Sequence, residues 1–148
     1  MQIVSITNSE GRVVEVEWLA RAEAVHRQLR SALPPDYSDK MRRVFSDGGR
    51  MCVAARSEVV LGVAVYRVFE DTMGGRQLFV DDLVTESSER STGVGQALLS
   101  HLDEVARSAG CWVLTLDSGT QRHRAHKFYF REGMQIVSLH FAKELKRD

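Results

Sequence analysis

Arg90, Gly93 and Gly95 are spaced Arg-x-x-Gly-x-Gly, between a polar stretch, Glu86 to Glu89, and a run with helical periodicity. That arrangement suits the holding of a phosphate. Glycines at a helix start let phosphate oxygens approach the backbone, and first-turn N–H groups have no intrahelical acceptor and lie at the positive end of the dipole. Arg90 adds a fixed cation whose planar fork fits a phosphate bidentately. Two commoner phosphate motifs are excluded. Leu98 stands where a dinucleotide fingerprint has its third glycine, and no Gly-Lys-Ser/Thr follows as a P-loop requires. A pyrophosphate of another carrier remains, beside the plain alternative in which the glycines only ease a tight turn.

Other residues invite chemistry less strongly. Asp81 and Asp82 interrupt an apolar run, Gln77 to Thr85, which is unfavourable unless they are paired or solvated in a cleft, at an edge or at a bulge. Period-two alternation sends the two to opposite faces of a sheet, so at most one should reach a bound molecule directly. His123 and His126, at i and i+3, have no third ligand at supporting spacing, so no metal is expected. Arg122, Arg124, Lys127 and Arg131 read as the solvated face of a helix, and His140 as a structural residue of a last strand. Cys52 and Cys111 lie far apart in apolar runs and read as buried small hydrophobes of a reduced, cytoplasmic protein.

The elements that must position these residues follow from periodicity. Met1–Thr7 suits a first strand ending at the turn Asn8–Gly11. Val14, Trp18, Ala22, Val25, Leu29 and Leu33 mark a helix that Pro34 and Pro35 stop, and a shorter helix runs from Tyr37 to Phe45. Met51–Ala55 and Val59–Val68 form a hairpin, and Gln77–Thr85 a central strand. Val94, Leu98, Leu102, Val105 and Ala109 line a helix that Gly110 caps. A strand Cys111–Leu116, a helix Arg122–Arg131 and a last strand Met134–Ala142 complete a mixed α/β order. With 148 residues, one domain over 1–148 is expected, large enough for its own core. Lysine plus arginine and aspartate plus glutamate number 20 each, so no charge excess points to nucleic acid or a membrane surface. The first ten residues have no leader-like pattern, and no run approaches the length of a membrane span.

Placed after a strand, Arg90-x-x-Gly93-x-Gly95 resembles the acyl-CoA signature of the GNAT superfamily, the Gcn5-related N-acetyltransferases, written Q/R-x-x-G-x-G/A. A second segment, Ala125-x-x-Phe128-Tyr129-x-x-x-Gly133-Met134, resembles the family's A-x-x-F/L-Y-x-x-x-G-F ending. The likeness is tight from Gln77 to Met134 and loose elsewhere. Two departures stand out: Arg122 replaces a common asparagine, and Met134 replaces the closing aromatic.

The resemblance implies a GNAT-like mixed sheet of about six or seven strands whose central parallel strands, ending near Thr85 and Asp117, splay apart. Acetyl-CoA, the implied cosubstrate, would lie there. Backbone groups of Leu83, Val84 and Thr85 would bond the pantetheine arm, and one N–H would stabilise the oxyanion. Arg90 and the N–H groups of Ser91, Thr92, Gly93, Val94, Gly95 and Gln96 would hold the pyrophosphate, with Arg122 and Phe128 also at the cofactor. The acceptor amine, of a small molecule or a peptide, attacks directly in a ternary complex. Tyr129 would protonate the leaving thiolate, a transfer opposed only modestly by ordinary phenol and thiol pKa values. Asp81 or Asp82 would take the amine proton, directly or through water. With Glu70 and Asp71, they suggest a cationic acceptor. The alternative is a silent acyl-CoA-binding regulatory module, and an unrelated α/β interaction domain is the third reading. Nothing in the residues separates a monomer from a homodimer whose final strands pair between subunits.

Overall fold

The computed structural model describes residues 1–146 and divides the chain into two compact units, Met1–Leu116 and a second that begins at Asp117. The first holds the whole sheet. Its strands, β1 (Gln2–Ser5), β2 (Arg50–Arg56), β3 (Val59–Glu70), β4 (Arg76–Thr85) and β5 (Cys111–Leu116), lie in sequence order. Neighbours from β1 to β4 are antiparallel, while β4 and β5 are parallel and joined by helix α3 (Val94–Ser108).

Alternation along the central strands sends side chains into two cores. Met51, Val53, Val63 and Val65 meet Leu19, Ala22 and Val25 of helix α1 (Val16–Leu29), with Met41 and Phe45 of helix α2 (Tyr37–Ser46). Cys52, Ala54, Ala64, Tyr66, Leu78 and Val80 meet Val94, Leu98, Leu102 and Ala106 of α3. Each valine, leucine, methionine or phenylalanine among them, fully buried, stabilises by about 1.5–3 kcal/mol before entropy is counted. One glycine sets how closely α3 approaches. A Cβ on Gly62 would stand 2.7 Å from Val94 Cγ1 and 2.9 Å from Leu98 Cδ1, so the bare backbone of β3 seats the first two turns of the helix.

Arg27 fixes the link from α1 to α2. It donates to the carbonyls of Leu33 and Pro34 at 2.6 Å each and to Glu23 at 2.7 Å. Helix α1 starts at Val16 because Val14 N–H bonds Ile6 O (2.8 Å) and Val13 bridges Thr7, which holds that stretch against the end of β1. The second unit contains helix α4 (His123–Arg131), followed by Gly133 at φ 84°.

The expected six or seven strands are corrected to five, with four helices and one 3₁₀ turn, among the described residues. Met134–Ala142 is the missing strand. Its sequence alternates as a strand's does, but a strand exists only where a neighbour completes its ladder, and among the described residues this segment has none. His140 is correspondingly exposed and pairs with Asp117 Oδ2 at 3.0 Å, instead of sitting in a sheet. Cys52 is buried as expected and its thiol is pushed up to about 12 by that burial, whereas Cys111 is only partly covered. No described helix is long and apolar enough to cross a membrane.

Candidate active site

The two halves of β4 differ. Arg76–Val80 is flanked by strands on both sides, β3 on one and β5 on the other. Pairing with β5 ends at Val80 and Leu116, so Asp81–Thr85 keeps only its β3 partners, Leu83 against Ala64, Val84 against Val63 and Thr85 against Gly62. The sheet therefore opens where the sequence places the pantetheine-binding backbone.

Past Thr85 the chain turns into a cradle. Glu86 N–H bonds Leu61 O (2.7 Å), and Gln28 of α1 accepts from Ser87 N–H (3.0 Å) while its amide donates to the Glu86 carboxylate. Ser87–Glu89 forms a 3₁₀ turn, after which Ser91 (φ 64°) and Gly93 (φ 91°) adopt the left-handed conformation. Gly93 stands at the N-cap of α3, where that geometry is nearly free only for glycine. Among the described residues the backbone N–H groups of Ser91, Thr92, Gly93, Val94, Gly95 and Gln96 have no acceptor. They surround the positive end of a 15-residue helix. Glu89 lies 3.5 Å from Arg56, and Arg90 is exposed beside the cradle. An anionic diphosphate fits such a donor set.

Asp81 and Asp82 violate the expected alternation. Val65 pairs with Asp82 but Tyr66 pairs with Val80, so Asp81 is the extra residue of a β-bulge. The bulge turns both carboxylates toward one cleft, which corrects the expectation that only one would reach it. The cleft, about 850 Å³, lies between α1, the α1–α2 link, α2 and strands β3 and β4. Asp81 accepts a two-pronged bond from Arg67 (2.9 Å each), whose guanidinium also lies 5.2 Å from the Phe79 ring centroid. Asp82 is the better enclosed. Its Oδ2 meets His26 Nε2 at 2.7 Å and its Oδ1 meets Arg30 Nε at 2.7 Å, while His26 Nδ1 meets Tyr37 Oη at 2.8 Å.

The result is a hydrogen-bonded line, Tyr37–His26–Asp82–Arg30, with His26 only 1% exposed. Burial pushes the Asp82 pKa upward, but the bonds from His26 and Arg30 outweigh it and hold the carboxyl below the usual range. Burial, helped by Glu23 and Asp82, pushes the Tyr37 phenol well above its ordinary value, so it stays a proton donor. His26 was not singled out by sequence reasoning. Its one signal is that it falls next to Ala22 and Val25 on the apolar stripe of α1, while its partner stands 56 residues away.

The acidic cluster expected to favour a cation disperses. Glu70 lies 3.7 Å from Arg76, and Asp71 receives the N–H groups of Met73, Gly74 and Gly75, so of these four only Asp81 and Asp82 line the cleft, each with an arginine.

The remaining predicted residues belong to the second unit. Arg122 is the exposed N-cap residue of α4, and Phe128 and Tyr129 are half-buried with ring centroids 5.4 Å apart. Burial raises the Tyr129 phenol, partly offset by Arg122, so donation to a thiolate is harder than ordinary values imply. His126 Nε2 meets Gly119 O at 2.8 Å, a local tie at the entry to α4.

Comparison with known proteins agrees with this geometry. A family model described as the acetyltransferase (GNAT) family matches residues 14–134. An uncharacterised N-acetyltransferase of Bacillus subtilis is 43% identical over 70 residues, 47% of this chain and 49% of that one. An aminoalkylphosphonate N-acetyltransferase of Salmonella typhimurium is 35% identical over 66 residues, 45% of this chain and 43% of that one. The chain thus spans less than half the length of these curated relatives. An aminoglycoside N-acetyltransferase solved in complex with CoA superposes with a TM-score of 0.82 over 99% of this chain and 95% of that one, at 16% identity, a likeness of fold. With the family model covering most of its length, the chain belongs to the GNAT acetyltransferase family.

Proposed function

We propose that the chain is an N-acetyltransferase that moves an acetyl group from acetyl-CoA to a primary amine of a small molecule or peptide. The observation that carries this reading is the continuity of the opened half of β4, Asp81–Thr85, with six unpartnered N–H groups at the start of α3. One stretch of chain thereby offers donors for an extended amide-bearing arm and then for a diphosphate. Arg90 and Ser91–Gln96 hold the diphosphate in this reading, Leu83, Val84 and Thr85 the arm, with Arg122 and Phe128 beside it. Bound acetyl-CoA supplies an activated thioester.

The amine occupies the cleft floored by Asp81 and Asp82. There Asp82 orients the acceptor and receives its proton. His26 Nε2–H donates to Asp82 Oδ2 and its Nδ1 accepts from the Tyr37 hydroxyl, so the line holds the carboxylate ionised and oriented to receive that proton. Tyr129 is assigned the protonation of the leaving thiolate on its place in the second motif. The family model spans both compact units, which supports treating 1–148 as one functional domain. A cytoplasmic location fits the two free thiols, Cys52 and Cys111.

Thermal unfolding with and without acetyl-CoA tests the cofactor assignment, with dephospho-CoA and adenosine diphosphate as controls. At 100 times the dissociation constant, specific binding adds about 2.7 kcal/mol and raises the midpoint. No shift at saturating cofactor removes the proposal. Binding without thiol release for any amine favours the silent acyl-CoA-binding module instead.

A further inference from the structure

Every residue lining the cleft belongs to the first compact unit, so the charge of the cleft is set within Met1–Leu116. Three cations, Arg30, Lys40 and Arg67, line it together with three carboxylates, Asp47, Asp81 and Asp82, and the formal sum is zero. The carboxylates of β4 are already matched. Asp81 gives both oxygens to Arg67, and Asp82 gives Oδ1 to Arg30 while His26 holds Oδ2. A dication or polycation entering there meets two ion pairs instead of two bare charges, so its extra charge gains little.

Lys40 is different. It is half-buried on α2 and pairs with no carboxylate among the described residues. The acidic residues of the preceding turn are engaged, Asp36 by the N–H of Asp39 and Asp39 by Arg43 at 3.4 Å. Asp47 is exposed at the C-cap of the helix, roughly 10 Å further along its axis. Arg67 also has donors to spare. Its Nε and Nη2 serve Asp81, and its Nη1 has no acceptor among the described residues.

We propose that the acceptor is a zwitterion, a primary amine whose own molecule carries a carboxylate. The amine lies at Asp82, the carboxylate is held by Lys40 and the unused edge of Arg67, and an apolar arm lies against Leu29, Leu33 and Val44. The proposal rests on the reading of this cleft as the acceptor site. A carboxylate bound there makes charge-assisted bonds in a partly enclosed space, where they are stronger than in open water. The volume, about 850 Å³, accommodates more than the two charged groups.

Calorimetry of the full chain with CoA present tests it. Leucine, leucinamide and 3-methylbutylamine share one apolar arm and differ at the carboxyl group, and 6-aminohexanoate with pentylamine repeats the contrast at a longer separation of charge. Leucine and 6-aminohexanoate should each bind at least about 10-fold more tightly than the counterparts that lack the carboxylate. Lys40→Gln should bring them down to the level of those counterparts, and Lys40→Arg should keep the preference. Because binding is read apart from turnover, the two readings fail separately. Preference for the carboxylate without thiol release for any amine keeps the zwitterion site and removes acetyl transfer. Thiol release with equal or tighter binding of the counterparts overturns the zwitterion site alone. So does a preference that Lys40→Gln leaves intact, or the absence of binding by every member of both series.

Discussion

The two ends of β4 are built from one strand and behave as different materials. Arg76–Val80 is laddered on both sides and contributes Leu78 and Val80 to the core beneath α3. Asp81–Thr85 loses β5, gains a bulge and carries two carboxylates to a cleft. The first half shows what a parallel strand in an α/β sheet needs, apolar residues on both faces and a neighbour on both edges. The second shows how a site is made by withdrawing those conditions over five residues while the first half holds the strand in place. Backbone donors become available only because a neighbouring strand stops.

The sharpest way to break the contrast is at its two ends. Asp82→Asn keeps the shape but removes the charge that orders His26 and Arg30. Amine-dependent turnover should fall about 10²–10⁴-fold while acetyl-CoA affinity, read by calorimetry, holds. Equal turnover would exclude Asp82 from proton transfer. Leu78→Ala, in the laddered half and fully buried, should cost about 2–5 kcal/mol in denaturant unfolding and leave turnover of the folded fraction unchanged.

Gly93→Ala probes the cradle alone. The added Cβ meets nothing within 4 Å, so its cost is conformational, about 1–2 kcal/mol for an L residue held at positive φ. A loop that escapes the strain by leaving the left-handed geometry should bind acetyl-CoA roughly 5–30-fold more weakly, and one that keeps the geometry should show the same cost as lost stability in denaturant unfolding; no change in either would mean that the cradle does not need a left-handed N-cap.

Acid unfolding separates the two aspartates further. Because the Asp82 pKa is depressed on folding, its ionised form contributes stability that is complete above the ordinary aspartate value of about 3.9 and is lost as pH falls below it. Asp82→Asn should flatten the stability curve in that acid window and nowhere else. Arg67→Gln should have the smallest effect, under about 1 kcal/mol, since the Arg67 and Asp81 side chains are 42% and 31% exposed. A larger loss would mean that this pair, and not only the Asp82 line, fixes the bulge.

How much of this was legible in the sequence depends on range. The glycine loop was readable because the requirement is local: a left-handed N-cap wants glycine, and Gly93 stands there. Strands β2 to β5 and helices α2 to α4 fell within a few residues of their expected limits for the same reason. The Asp81 bulge was not legible, because it is a mismatch between two strands and leaves no mark on one of them. The Tyr37–His26–Asp82 line joins residues 11 and 56 positions apart, and nothing in α1 alone tells a buried partnered histidine from an exposed one. For Met134–Ala142 the period has a strand's alternation, but alternation alone does not supply the neighbour that completes a ladder.

In the proposed reading the opened half of β4 and the cradle at α3 serve acetyl transfer. Release of free CoA thiol from acetyl-CoA, followed continuously against a panel of primary amines with mass spectrometry of the products, tests it most directly. Thiol release should depend on an amine, give a product heavier by one acetyl group, and fall in Asp82→Asn and Tyr129→Phe while binding persists. Thiol release equal with and without amine, or none at all from protein that binds acetyl-CoA, would contradict it.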